Sequence, residues 1–168
     1  MSIPHVTNIE DKQAFWMVDT LWVILAEGKD TDNNFSLMWQ IGKKGSGPGP
    51  HFHEQDEAFF VMEGEITYMA NDEILSAKAG SFVWIPRGTV HAFKVISETV
   101  KVLNMYTPSG FEQVIKAGGT PAEAFTVPPE DFKYLDKMAA VREMFKKVGM
   151  HVVETPDKLR ESSKNNMS

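Results

Sequence analysis

The feature that most constrains this chain is how often it is interrupted. Between Met17 and Tyr106 it breaks into eight short runs rich in β-branched, aromatic and other apolar residues: TLWVILAE, NFSLMWQI, EAFFVMEG, EITYMAN, EILSAK, SFVWIP, HAFKVI and TVKVLNMY. Turn formers separate them at Asp30 to Asn34, the GKKGSGPGP stretch at 42 to 50, Glu63-Gly64-Glu65, Asn71-Asp72, Ala79-Gly80 and Pro86-Arg87-Gly88. Short strands at this regular spacing predict an all-β body, a barrel or a sandwich. At 168 residues, 42% of them hydrophobic, the chain holds one core and leaves no room for a second full domain.

Beyond Tyr106 the pattern changes. FEQVIKAGG predicts a short helix closed by Gly118 or Gly119. PPEDFKYLDKMAAVREMFKKVG predicts a long one, with Pro and acids at its start, a stripe of Phe132, Leu135, Met138, Met144, Phe145 and Val148, and Gly149 as its stop. The expected organisation is a β-barrel over residues 1–115, N-terminal strands included, and a helical tail over 116–168 packed on it. The last dozen residues, DKLRESSKNNMS, are polar enough to be disordered.

Charge and composition remove several function classes. A net charge of −6 offers no basic stripe for phosphates, so nucleic acids and anionic membranes are not expected partners. With no cysteine there can be no disulfide, no thiolate nucleophile and no Cys-type zinc site. A small molecule or another protein is left as the expected partner; the segment MSIPHVTNIEDK has no apolar core of a leader, and no run approaches a membrane span, so a cytoplasmic protein is expected.

The chemistry concentrates in "HFHEQDE", residues 51 to 57. On a strand, His51 and His53 share a face roughly 6.6 Å apart, close enough for two imidazoles to reach one ion. Glu57 precedes the apolar Phe59 and Val61, where a carboxylate is costly to bury without a partner such as a divalent metal. Two histidines beside an acidic turn can equally be a solvated surface feature. His91, 34 residues beyond Glu57 at the head of the HAFKVI run, makes the metal reading the sharper one. Glu54 and Asp56 read as solvated turn residues, Glu63 and Glu65 as hairpin residues facing water, and His5 and His151 as surface or packing residues.

Set out with their gaps, these residues resemble the two sequence motifs of the cupins. Gly45, His51, His53, Glu57 and Gly64 match the first, and Gly80, Pro86, Gly88 and His91 the second, with Val95 standing where the pattern has Asn. The resemblance implies a double-stranded β-helix, the jelly-roll cupin barrel, with a C-terminal helical extension. It implies a metal site of His51, His53, Glu57 and His91 holding one divalent transition metal, among Fe, Mn, Ni, Co, Cu and Zn. The stretch NMYTPSGFEQVI further resembles quercetin 2,3-dioxygenase-like single-barrel cupins. That implies a metal-dependent dioxygenase cleaving a small aromatic or enolisable, flavonol-like substrate with O2, with Glu57 as ligand and catalytic base. A non-redox isomerase, lyase or decarboxylase, or a small-molecule-binding cupin without catalysis, is the alternative. Met38, Phe59, Trp84, Phe93 and Tyr106 are the candidate pocket walls. The resemblance also suggests a homodimer, and TLWVILA and NFSLMWQI, apolar on both faces, fit an edge covered by the second copy.

Overall fold

The computed structural model describes residues 3–134 and 137–153, which form two antiparallel sheets facing one another. The chain enters through β1 (Ala14–Met17), β2 (Thr20–Ala26) and β3 (Ser36–Lys43), then passes into the short β4 (His51–His53) and β5 (Asp56–Glu63). A hairpin follows, β6 (Glu65–Ala70) and β7 (Glu73–Lys78), and then β8 (Phe82–Ile85), β9 (His91–Val95) and the long β10 (Thr99–Thr107). Helix α1 (Phe111–Gly118), β11 (Thr120–Pro121), α2 (Met138–Lys147) and β12 (Met150–Val152) complete it. One sheet has the order β11-β1-β2-β3-β10-β5-β8 and the other β12-β4-β9-β6-β7, the jelly-roll arrangement expected for a cupin barrel. Among the described residues no helix is long and apolar enough to cross a membrane.

Strand alternation decides what faces inward. On β5, Glu57, Phe59 and Val61 are buried while Phe60 and Met62 are exposed; on β10, Val100, Val102, Asn104 and Tyr106 are buried. The tight reversal from β5 to β6 turns at Gly64, whose φ is +84° and whose missing Cβ would stand 2.4 Å from the Thr99 carbonyl oxygen. No other residue fits there. Val95, the one departure from the family pattern, is buried in the core, and its backbone joins the Gly45–Ser46 turn through two hydrogen bonds of 2.9 Å.

Two expectations are corrected here. The strands read as an exposed edge, β2 and β3, lie inside their sheet, with β1 on one side and β10 on the other. Their second apolar face is covered by this chain itself: Ile9, Ala122, Val127 and Phe132 pack over Trp16, Leu21, Val23, Trp39 and Ile41, and the Trp16 indole N–H donates to the Thr126 carbonyl at 2.8 Å. The long C-terminal helix is also shorter than predicted. Pro129 to Asp131 turn rather than start a helix, because Phe132 is drawn onto Trp16, its ring centroid 5.5 Å away in an edge-to-face contact. α2 begins only at Met138, which is exposed, and its inward stripe is Val141, Met144, Phe145 and Val148. Leu135 and the last dozen residues lie outside the described residues.

The tail is more than a pack of helices. α1 runs across the boundary expected at residue 115, β11 extends one sheet against β1, and β12 extends the other against β4. Helices α1 and α2 close one end of the barrel over Met17, Trp22, Ile24, Met38 and Tyr106.

Candidate metal centre

Four side chains from three strands converge inside the barrel beneath that closed end. His51 and His53 project from β4, Glu57 from the start of β5 and His91 from β9, with His51 and His91 direct partners across the sheet. Each offers one ligand atom, all four atoms lie within 4.8 Å of one another, and all four residues are buried. The bend at Glu54 and Gln55 brings the β4 histidines and Glu57 to the same side. The turn before β9 is fixed by Arg87, whose backbone N–H and guanidinium both donate to Asp56, at 2.8 and 2.7 Å. Asp56 is thus engaged by Arg87 and is not a ligand.

The histidine tautomers follow from the backbone. Nδ1 of His51 faces the Gly49 carbonyl at 2.9 Å, Nδ1 of His53 the Gln55 carbonyl at 2.7 Å, and Nδ1 of His91 the Thr89 carbonyl at 2.8 Å. A carbonyl only accepts, so each Nδ1 carries the proton and each Nε2 is left with a lone pair. Glu57 Oε2 lies 3.1 Å from Nε2 of His53 and 3.0 Å from Nε2 of His91. Lone pairs of a carboxylate and of neutral imidazoles repel, so this arrangement needs either an extra proton or a cation among them. Three imidazole nitrogens and one carboxylate oxygen suit a divalent transition metal and do not suit an oxygen-only Mg or Ca site.

Without a metal, burial would raise the Glu57 carboxyl, but His53 and His91 hold it well below the usual carboxylate range. His51 is pushed down to about 4 by burial and then by the neighbouring His91. Burial opposes protonation of His91, yet Glu57 beside it raises its pKa above the ordinary histidine value. In the metal-free cluster Glu57 is therefore favoured in its charged form, and His91 takes up a proton more readily than an ordinary imidazole.

Behind the ligands runs a polar relay absent from the sequence expectations. Asn104 on β10 donates from Nδ2 to Glu57 Oε1 at 2.9 Å, and Gln40 on β3 donates from Nε2 to Asn104 Oδ1 at 2.8 Å. Because a carboxylate can only accept, both amide orientations are set by Glu57. The signal available in the sequence was a single amide side chain at an inward position of each apolar strand, Gln40 in SLMWQI and Asn104 in VLNMY. Tyr106 completes this side: it sits edge-on to His53 at 5.4 Å and stacks on Phe111 at 4.3 Å. Burial, and after it the charge of Glu57, push its phenol well above its ordinary value and keep it neutral.

The cluster opens onto a mostly apolar cavity of about 230 Å³. His51, Glu57, Gln40 and Asn104 share its wall with Trp22, Phe93, Tyr106 and Phe111, while Phe145, Met150 and Val152 come from the C-terminal segment. Gly47, at φ +140°, lets the loop before β4 run along this wall, since a Cβ there would stand 2.0 Å from the Phe93 carbonyl oxygen. Of the predicted pocket residues, Phe93 and Tyr106 line the cavity. Met38 and Phe59 are fully buried in the core behind it, and Trp84 points out of the barrel, 44% exposed beside Phe82 and Phe60. His5 is exposed, and His151 stacks on Phe52 at 4.7 Å, away from the cluster.

Residues 37–106 match the family model of the cupin domain. Quercetin 2,3-dioxygenase of Bacillus subtilis is 28% identical over 130 residues, a match covering 77% of this chain and 39% of that protein, so the chain spans about two fifths of that relative's length. Among solved structures, the polyketide cyclase RemF from Streptomyces resistomycificus superposes with a TM-score of 0.56 at 19% identity, over 84% of this chain and 99% of that one. A predicted oxalate decarboxylase from Thermotoga maritima superposes with a TM-score of 0.57 at 16% identity, over 62% of this chain and 99% of the other. At these identities the structural likeness speaks for the fold.

Proposed function

We propose that this chain, which matches the cupin-domain model and resembles the quercetinase-like single-barrel cupins, is a metal-dependent dioxygenase acting on a small aromatic or enolisable substrate. The observation that carries the reading is the placing of Glu57. One of its oxygens is tied to Asn104, the other lies among the histidine Nε2 atoms, and both stand at the wall of an apolar cavity with aromatic sides.

His51, His53, His91 and Glu57 would hold a divalent transition metal, which would supply Lewis acidity toward the enolic oxygen and the redox chemistry that dioxygen requires. The protein does the rest. Trp22, Phe93 and Phe111 sandwich a planar ring and exclude water from it. The proton of the substrate hydroxyl goes to Glu57 Oε2, while Asn104 holds Oε1 and keeps the carboxylate from turning away. The three Nδ1–H groups, donating to backbone carbonyls, keep the imidazoles oriented with Nε2 inward. Ring opening then incorporates both oxygen atoms, the proton held by Glu57 returns to the product, and carbon monoxide leaves when the substrate is a flavonol. The relative named for quercetin supports that substrate class.

The test is oxygen uptake by protein loaded separately with iron, manganese, nickel, cobalt and copper, with flavonols and simpler aromatic enols offered in turn. Uptake abolished by Glu57→Gln is the expected result. Turnover that continues under nitrogen assigns the site to a non-redox isomerase, lyase or decarboxylase instead. The absence of both turnover and oxygen uptake across the panel overturns the enzyme reading.

A further inference from the structure

Among the described residues three buried side-chain polar atoms have no hydrogen-bond partner: Trp22 Nε1, Ser36 Oγ and Tyr68 Oη. Of these residues only Trp22 belongs to the cavity wall. It is 9% exposed, and an indole N–H can only donate, so this enclosed group stands without an acceptor among the described residues, and leaving a donor unmade is costly. Native proteins leave few such groups, and one in the wall of a ligand cavity calls for an acceptor that the bare chain does not provide.

The residue directly opposite Trp22 on the next strand is Gln40, also a cavity residue. Its amide is not free to choose. Glu57 turns Asn104 so that Oδ1 faces Gln40, which must answer with its Nε2. The leftover atom of Gln40, the carbonyl Oε1, is an acceptor to which no described group donates. A donor and an acceptor without partners among the described residues thus belong to neighbouring strands of the cavity lining, Gln40 two strands and Trp22 three strands away from Glu57 in the order β2-β3-β10-β5.

We propose that Trp22 and Gln40 form a hydroxyl-recognition pair. A substrate hydroxyl remote from the metal-binding end accepts from Trp22 Nε1–H and donates to Gln40 Oε1. The inference rests on the reading of this cavity as the substrate site, and it narrows the substrate from any planar enol to one carrying a second hydroxyl. An ether oxygen satisfies Trp22 alone, and a bare ring edge satisfies neither group. At about 230 Å³ the cavity is below the roughly 300–1,000 Å³ of most small-molecule sites. There is little space for a mismatched group to turn aside.

The experiment uses zinc-loaded protein, which is diamagnetic and redox-inert, with 3-hydroxyflavone, 3,7-dihydroxyflavone, 3,4′-dihydroxyflavone and their 7- and 4′-methoxy counterparts as probes. Dissociation constants are measured by calorimetry. The indole N–H resonance of Trp22 is followed by NMR, assigned by elimination from Trp16→Phe, Trp39→Phe and Trp84→Phe. At least one dihydroxy probe is expected to bind about tenfold tighter than 3-hydroxyflavone, the worth of one well-made hydrogen bond, and to shift the Trp22 indole proton downfield. The methoxy counterpart keeps only part of that gain, and Trp22→Phe abolishes it. An indole resonance unmoved by every probe, or a gain retained in Trp22→Phe, overturns the pair; if Trp22→Phe does not fold, the wild-type resonance alone decides. Tight binding with a shifted indole but no oxygen uptake by redox-active metal forms removes the dioxygenase reading and leaves the recognition pair standing.

Discussion

The two ends of this barrel are built from the same strands and do opposite work. Along β10 the inward residues run Val100, Val102, Asn104, Tyr106, and along the antiparallel β5 they run Val61, Phe59, Glu57. At the first end these valines meet Phe59, Ile66, Tyr68, Ile85 and Val95 in a closed apolar core. At the other end, within two residues on each strand, carboxylate, amide and imidazoles replace hydrocarbon, and a cavity opens. The apolar end holds the strands in register tightly enough for the polar end to keep four like-natured acceptors pointing at one place. The lesson is a division of labour along the strand axis: packing at one end offsets the cost of an incomplete polar cluster at the other.

That division can be broken at either end. The largest effect is expected from removing a ligand. Glu57→Ala or His91→Ala should lower metal affinity by more than about 100-fold, beyond what a supporting residue costs, read by elemental analysis of purified protein. Metal content unchanged in both variants would sink the metal-centre reading. At the apolar end, Phe59→Ala should cost about 3–5 kcal/mol of stability in denaturant titrations while the folded fraction still takes up metal. Loss of metal from molecules that remain folded would show that the two ends are not separable.

A smaller effect probes the relay between them. Asn104→Leu leaves Glu57 Oε1 without its donor and should weaken metal binding by roughly 10- to 100-fold, with Gln40→Leu weaker in the same direction. Acid gives an independent reading of the polar end. Metal and proton compete for His91, whose pKa is raised by Glu57, so affinity should fall as pH drops through the upper histidine range. His51, pushed down to about 4, adds its own competition only in stronger acid. Metal titrations between pH 8 and pH 4 that show no such decline would contradict the arrangement. The smallest effect belongs to the surface: Arg87→Ala removes an exposed, solvent-screened ion pair with Asp56 and should leave the midpoint of denaturant titrations nearly unchanged.

Much of the polar end was readable from the sequence because ligands obey spacing. His51 and His53 at i and i+2, Glu57 after a short bend and His91 after a Pro-Gly turn form a pattern that few other arrangements produce. Gln40 and Asn104 obey no such rule, since their meeting depends on strand register, and one polar residue in an apolar strand is silent until its neighbours are known. Trp84 shows the converse limit. SFVWIP carries large apolar residues on both faces, so alternation alone could not tell Val83 and Ile85, which face in, from Phe82 and Trp84, which face out. The two-faced strands TLWVILA and NFSLMWQI suggested a partner for a related reason: burial by the chain's own distant segments leaves the same apolar signature as burial by a second copy.

β12 has a consequence of its own. This three-residue strand pairs with the strand bearing His51 and His53, and two of its residues, Met150 and Val152, line the cavity although neither carries a ligand. Reactivity and fit are thus encoded in different stretches of the polypeptide. Exchanges at Phe145, Met150 or Val152 can reshape what enters without touching what reacts, so a lineage could change its substrate at the far end of the chain while its metal chemistry stays constant.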